Sequence, residues 1–260
     1  MQPNTPGTSN VAFECILAMP AYNEEGCIEN VVTRWLEELR THFGERCLCV
    51  VVNDGSRDQT GPILDRLAAG NPQIRVIHQA NGGHGSALLH AYRQAVELNP
   101  AYVFQVDSDD QFSPADFGPM WRRRAESPFI LGCRAKRQDA FHRLVITKIL
   151  RLFLFMIYGR WLTDANVPFR LMTADFLRHA LVVIPPAVFA PNIFLAVLAV
   201  RQGYDPLYLP VTHMERKTGK VSILRWKLVK VCFRCVGELW GFRATLAALD
   251  RAGFKQALQS

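Results

Sequence analysis

Asp107, Ser108 and Asp109 set two carboxylates one residue apart, directly after the apolar run Tyr102-Val103-Phe104-Gln105-Val106. Hard divalent cations are held by oxygen pairs of this kind. The preceding run is nearly continuous in apolar residues, as a strand of a parallel sheet covered on both faces must be. Ligands of such sheets bind beyond the carboxyl ends of the strands, which is where the pair falls. An Asp-x-Asp on its own also serves turns and helix caps, so its neighbours decide what it does.

Three further phrases stand at the ends of apolar runs. Pro20-Ala21-Tyr22-Asn23-Glu24-Glu25 closes the first run and opens a helix, offering backbone N–H groups, an aromatic face and a carboxylate. Asn53-Asp54-Gly55-Ser56 closes the second run with a carboxylate able to accept hydrogen bonds from a nucleobase or ribose, followed by a glycine turn. Asn81-Gly82-Gly83-His84-Gly85-Ser86-Ala87 allows close backbone approach ahead of another helix. It lacks the Lys-Ser/Thr ending of a phosphate loop, and no dinucleotide fingerprint occurs.

The elements that must position these residues follow from periodicity. Phe13 to Met19, Cys47 to Asn53, Ile74 to His78, Tyr102 to Asp107 and Phe129 to Cys133 read as short apolar strands. Glu25 to Phe43, Thr60 to Ala69 and Gly83 to Leu98 carry helical spacing between the first four. This βαβαβαβ succession, wound by right-handed crossovers, predicts an α/β fold with a mostly parallel central sheet and helices on both faces. Residues 1–10, polar and rich in Pro, Asn, Thr and Gly, read as a flexible tail, 11–221 as the α/β domain that carries these phrases and 222–260 as a basic amphipathic helical region.

The net charge of +7 is local. Arg134 to Arg151 and His213 to Arg234 hold 6 and 7 Lys/Arg against one acid each, leaving 17 basic and 21 acidic residues elsewhere. Basic clusters beside apolar residues point to lipid head groups or phosphates, and no motif for reading nucleic acid is present. His142 to Leu162 combines Leu144, Ile149, Leu152, Phe153, Phe155 and Trp161 with Lys148 and Arg151, the pattern of a helix lying on a membrane surface. A helix packed into the core carries a similar pattern. Ser222 to Phe242 repeats it with Arg225, Trp226, Lys227, Lys230, Arg234 and Trp240. The polar start resembles no signal peptide, and the seven scattered cysteines read as reduced thiols, so the expected place is cytoplasmic, peripheral on the cytoplasmic membrane face.

Taken in order, the four phrases resemble the family-2 glycosyltransferases with the GT-A fold, especially the dolichyl- and polyprenyl-phosphate sugar synthases, over Phe13 to Ser222. The resemblance implies a GDP- or UDP-linked sugar donor met by Pro20, Tyr22, Glu24, Asp54, Gly83, Asp107 and Arg216. It also implies Mg²⁺ or Mn²⁺ held by Asp107, Asp109 and Gln111 against the diphosphate, and an acceptor phosphate held by Arg134 and Arg143. Asp109, Arg134, Arg143 and Asp164 are the catalytic expectations. Asp164-x-x-x-Pro168-Phe169-Arg170 resembles the family's Asp-to-Gly-Phe-Arg segment, and Arg216 to Ser222 its Arg-x-x-Gly loop. Three departures stand out: Pro168 for Gly, Ser222 one place late, and Asn53 for the first of two aspartates. The implied reaction is hexose transfer to a polyprenyl phosphate by direct displacement with inversion. An already ionised phosphate needs no general base, whereas a saccharide hydroxyl would call on Asp110, His142 or Asp164. A saccharide acceptor, or a protein that binds nucleotide sugars without turnover, is the alternative.

Overall fold

The computed structural model describes residues 12–134, 155, 162, 164–214 and 225–252, the last stretch with side chains over 234–248. Within it, seven strands form one sheet in the order β3-β2-β1-β4-β6-β5-β7. They are β1 (Phe13–Ala21), β2 (Cys47–Asn53), β3 (Ile74–His78), β4 (Pro100–Val106), β5 (Phe129–Arg134), β6 (Phe169–Thr173) and β7 (Leu207–Val211). β1 to β4 run parallel, β6 runs antiparallel to both β4 and β5, and β5 pairs with β7 in parallel. Every residue of β2 and β4 is buried, which explains why both read as unbroken apolar runs.

The crossovers are α1 (Ile28–Phe43), α2 (Thr60–Gly70) and α3 (His84–Glu97). α1 buries Ile28, Val31, Val32, Trp35, Leu36 and Leu39, the three-and-four spacing of one helix face. It starts three residues later than periodicity suggests. Asn23 has φ 54°, and the amides of Cys27 and Ile28 both donate to the Glu24 carbonyl, so residues 22–27 form a tight turn first. β1 correspondingly runs on to Ala21.

α4 (Phe117–Arg122), α5 (Ala174–Val183), α6 (Pro191–Arg201) and α7 (Arg225–Ala252) follow among the described residues. α6 is buried on nearly all sides, from Pro191 to Ala199. α7 lies against it through Cys235, Leu239, Phe242 and Leu246, all buried at helical spacing, with Phe242 4.9 Å from Phe194 ring to ring. Glu238 on α7 also accepts the Phe189 amide at 2.9 Å. The helix expected over Ser222 to Phe242 therefore continues to Ala252, and one of its faces is core. The surface helix expected over 142–162 lies outside the described residues apart from Phe155 and the buried Leu162. No helix among the described residues is long and apolar enough to cross a membrane.

Candidate active site

Four loops meet at the carboxyl edge of β1, β2, β3 and β4. The turn after β1 is laced to the turn after β2. Asn23, Glu24 and Glu25 donate their amides to Ser56 Oγ, Thr60 Oγ1 and Asp58 Oδ2 at 3.0, 2.8 and 3.1 Å. The amides of Arg57 and Gln59 donate back to Asn23 Oδ1 and Glu25 Oε2 at 2.8 and 2.9 Å. This two-way lacing holds Asn23 in the left-handed region, which Asn tolerates better than most residues. Pro20 is buried inside β1, while the Tyr22 ring is exposed above the edge. Glu24 is buried, and the Cys27 thiol beside it lies 3.5 Å from Glu24 Oε2 and 3.4 Å from the Ser108 carbonyl. The first loop thus touches the Asp107–Asp109 segment.

The buried carboxylate of Asp54 accepts hydrogen bonds from Gln79 Nε2, the Gly82 amide and the Gly83 amide at 2.7, 2.8 and 2.9 Å. The Asn81 side chain adds a bond to its carbonyl at 2.9 Å. Asp54 therefore ties the loop after β3 to the end of β2. Gly55, at φ 66°, sits so close that a Cβ there would lie 2.8 Å from the Asn81 nitrogen, so only glycine fits. Because Gln79 Nε2 faces a carboxylate, its Oε1 must accept from His90 Nδ1 at 2.8 Å, which puts a proton on that nitrogen. Asn53, standing where the first of two aspartates was expected, donates Nδ2 to His78 Nδ1 at 2.9 Å, and His78 Nε2 in turn meets Asp65 at 2.8 Å.

Asp107 is the first residue past β4. Gln105 Nε2 donates to its Oδ1 at 3.0 Å, and His84 Nε2, at the start of α3, lies 3.9 Å from the same oxygen. Asp109 Oδ1 accepts the Gln111 amide at 3.3 Å. Between them Asp110 has φ 56° and pairs with Arg34 at 3.0 Å, which turns the chain and aims Asp110 away from its neighbours' task. Gln111 Nε2 donates to the Met214 carbonyl at 3.1 Å, so Oε1 is the atom this side chain can offer a cation. The Met214 amide returns a bond to the Gln111 carbonyl at 2.8 Å, and Phe112 bridges His213, so the strand-like segment leading toward Arg216 is fastened beside the Asp-x-Asp turn. Arg216 and Arg143 themselves lie outside the described residues.

Among the described residues no group of three His, Cys, Asp or Glu side chains gathers around one point. Two carboxylates and an amide oxygen are a sparse set, and it fits a cation that keeps water and takes its remaining oxygens from substrate phosphates, as Mg²⁺ does. On the far side of β4, Arg134 at the end of β5 grips Asp164 with two parallel bonds, Nε to Oδ2 at 3.0 Å and Nη2 to Oδ1 at 3.2 Å. Both are largely shielded from solvent, with side-chain exposures of 16% and 5%.

Sequence reasoning assigned no role to the polar residues beneath this edge. Arg170, on β6, is fully buried and gives hydrogen bonds to the carbonyls of Ala165, Val167 and Asn192. Burial pulls its pKa down, while Tyr92, Asp164 and Asp107 pull it back up. Tyr92, Gln105 and Asn192, also buried, bond to one another. The available signals were a lone Gln inside an apolar strand and a lone Asn inside an apolar helix.

Comparison with known proteins bears on the whole chain. The family model for glycosyl transferase family 2 matches residues 16–181. The chain is 25% identical over 256 residues to polyprenol monophosphomannose synthase of Mycolicibacterium smegmatis, covering 95% of this chain and 93% of that one. It is 27% identical over 182 residues to a UDP-N-acetylglucosamine–dolichyl-phosphate N-acetylglucosaminyltransferase of Methanococcus voltae, covering 62% and 70%. Glucosyl-3-phosphoglycerate synthase from Mycobacterium tuberculosis, solved with Mn²⁺ and UDP-glucose, aligns with a TM-score of 0.63 at 16% identity, over 88% of this chain and 79% of that one. A mannosyltransferase from Pyrobaculum calidifontis, solved with GDP-Man and Mn²⁺, aligns with a TM-score of 0.58 at 18% identity, over 92% and 76%.

Proposed function

Since the chain belongs to glycosyl transferase family 2 and has the GT-A fold, we propose that it is a metal-dependent, inverting enzyme moving a hexose from a GDP- or UDP-linked sugar to a polyprenyl phosphate at a membrane surface. One observation carries the reading: Asp107 leaves β4 at the sheet edge with Oδ1 fixed by Gln105, and Asp109 and the Gln111 amide follow in a turn pinned to Met214. Relatives that act on polyprenyl or dolichyl phosphates support the acceptor class.

In this reading Tyr22 and Glu24 face the nucleoside, and Asp54 shapes the same pocket through the 79–83 loop that it holds. Asp107, Asp109 and Gln111 Oε1 would hold Mg²⁺ or Mn²⁺, which supplies neutralisation of the charge that grows on the diphosphate as the glycosidic bond breaks. Arg134 spends two of its five N–H groups on Asp164. Asp164 is then an aiming partner for Arg134 rather than a proton acceptor, and Arg134, with Arg143, presents the ionised acceptor oxygen in line behind the anomeric carbon. Outward-facing Trp240, with the Arg243 guanidinium 5.7 Å from its ring, supplies an aromatic and basic face suited to lipid head groups.

The test is the double change Arg134→Ala and Arg143→Ala, followed by steady-state kinetics and nucleotide binding. We expect the KM for polyprenyl phosphate to rise by about tenfold or more, the scale of losing a charge-assisted hydrogen bond. Binding of GDP or UDP with Mn²⁺ should be unchanged. Equal losses in both would place these arginines on the donor, and transfer to a saccharide hydroxyl without transfer to the lipid would overturn the acceptor assignment.

A further inference from the structure

We infer that Gln105 is a positioning residue whose amide sets the rotation of the Asp107 carboxylate, and with it the direction in which that carboxylate meets a bound cation. This rests on the metal reading given above and goes beyond it.

The side chain of Gln105 can point only one way. Its Oε1 accepts from Asn192 Nδ2 at 3.4 Å, with the Tyr92 hydroxyl oxygen 3.3 Å away, so its Nε2 is the atom turned to Asp107 Oδ1 at 3.0 Å. Rotating the amide by half a turn would set oxygen against carboxylate at one end and nitrogen against nitrogen at the other. Asn192 is held in its own turn. The Tyr92 hydroxyl lies 3.1 Å from its Oδ1, and Arg170 Nη1 donates to its carbonyl at 3.0 Å. Burial keeps the Tyr92 hydroxyl protonated well above its usual range, with Asp107 reinforcing and Arg170 opposing, so the hydroxyl remains a donor.

All four of these residues are buried, and they come from four different elements: α3, β4, β6 and α6. Burying so many polar groups is costly unless each finds a partner, and an apolar set of the same volume would fill the space at less cost. What the polar set adds is direction: it ends on a single oxygen of Asp107. The bond on Oδ1 fixes the plane of the carboxylate and hence the line along which Oδ2 is presented. A carboxylate free to rotate would have to be ordered again at each binding event, which weakens the complex.

The experiment compares Gln105→Met, which keeps length and approximate volume but removes the amide, with Ser127→Ala. The second change deletes a buried hydrogen bond outside this network, from Ser127 Oγ to the Phe129 carbonyl at 3.1 Å, just ahead of β5. Mn²⁺ binding in the presence of saturating GDP or UDP is followed by calorimetry or by the electron paramagnetic resonance of free Mn²⁺, with thermal unfolding alongside. We expect Gln105→Met to weaken Mn²⁺ binding by about 10- to 100-fold, the worth of a hydrogen bond to a charged group. Ser127→Ala should stay within about threefold although its unfolding midpoint falls. Gln105→Asn, whose amide cannot reach Asp107, carries the same expectation as Met and takes its place should Gln105→Met lack a cooperative unfolding transition. Wild-type Mn²⁺ affinity in the Gln105 variants, or equal weakening by Ser127→Ala, overturns the positioning role while leaving the metal reading intact. Absence of Mn²⁺–nucleotide binding by the unaltered protein overturns the metal reading and this inference together.

Discussion

Asp54 spends its carboxylate on three donors of the 79–83 loop, and that commitment makes it sensitive to the mildest substitution. In Asp54→Asn one oxygen becomes an NH₂ group facing N–H donors, so at least one of the three loses its charged acceptor. The expected cost is about 1–3 kcal/mol, read as a lower urea midpoint with unchanged slope, together with weaker nucleotide binding. Wild-type stability in the Asp54→Asn variant would mean that the loop is held by other contacts. The residues that announce chemistry by type and spacing, Asp107 and Asp109, could be read from the sequence because their meaning is local: two carboxylates after a strand. Gln105 and Asn192 could not, because the bond between them closes a gap of 87 residues. Asp164 was singled out through the family resemblance, but its two-pronged engagement of Arg134 depends on β5 and β6 lying side by side.

Close approach of α3 to the segment before α6 is what brings the N-terminus of α3 to Asp107. A Cβ on Gly85 would lie 2.3 Å from the Val188 carbonyl oxygen and 2.5 Å from that of Phe189, and backbone at both points leaves nothing flexible to yield. Gly85→Ala should therefore destabilise by about 1–3 kcal/mol, the usual cost of overpacking, and should displace His84 from its place near Asp107. Thermal unfolding measures the first effect and nucleotide affinity the second; a Gly85→Ala variant unchanged in both would show that α3 can shift freely. The parallel run from β1 to β4 was legible because apolar strands and amphipathic helices alternate without a break. β6 was not, since Phe169 to Thr173 is short and its antiparallel seat between β4 and β5 is decided by pairing with two distant strands. The same holds for α7: composition shows a basic, apolar helix, but only the packing of Leu239 and Phe242 reveals which side is core.

Across the molecule, the sheet acts as a platform with the candidate site gathered along one edge and three of its thiols buried in its first two strands. Cys15 and Cys49 are fully buried, and burial raises their pKa values; burial likewise raises that of Cys47 to about 11. A raised value keeps the thiol protonated, and so unreactive, at any pH below it. Alkylation of the folded protein at about pH 8 should therefore spare these three cysteines, as peptide mass spectrometry would show, and unfolding should expose them. In the proposed reading the edge joins a donor side, made from the turns after β1, β2, β3 and β4, to an acceptor side made from β5 and the segment before β6, with Arg170 buried between them. The most direct test of that arrangement offers labelled GDP-mannose, UDP-glucose and UDP-N-acetylglucosamine to the protein with a polyprenyl phosphate, in Mn²⁺ or in EDTA, and counts label in the lipid extract. The account predicts labelled lipid from at least one donor, formed only with the metal and abolished by Asp109→Ala in a protein that still folds. Lipid labelling that persists in EDTA, or none with any donor while label passes to a saccharide, would contradict it.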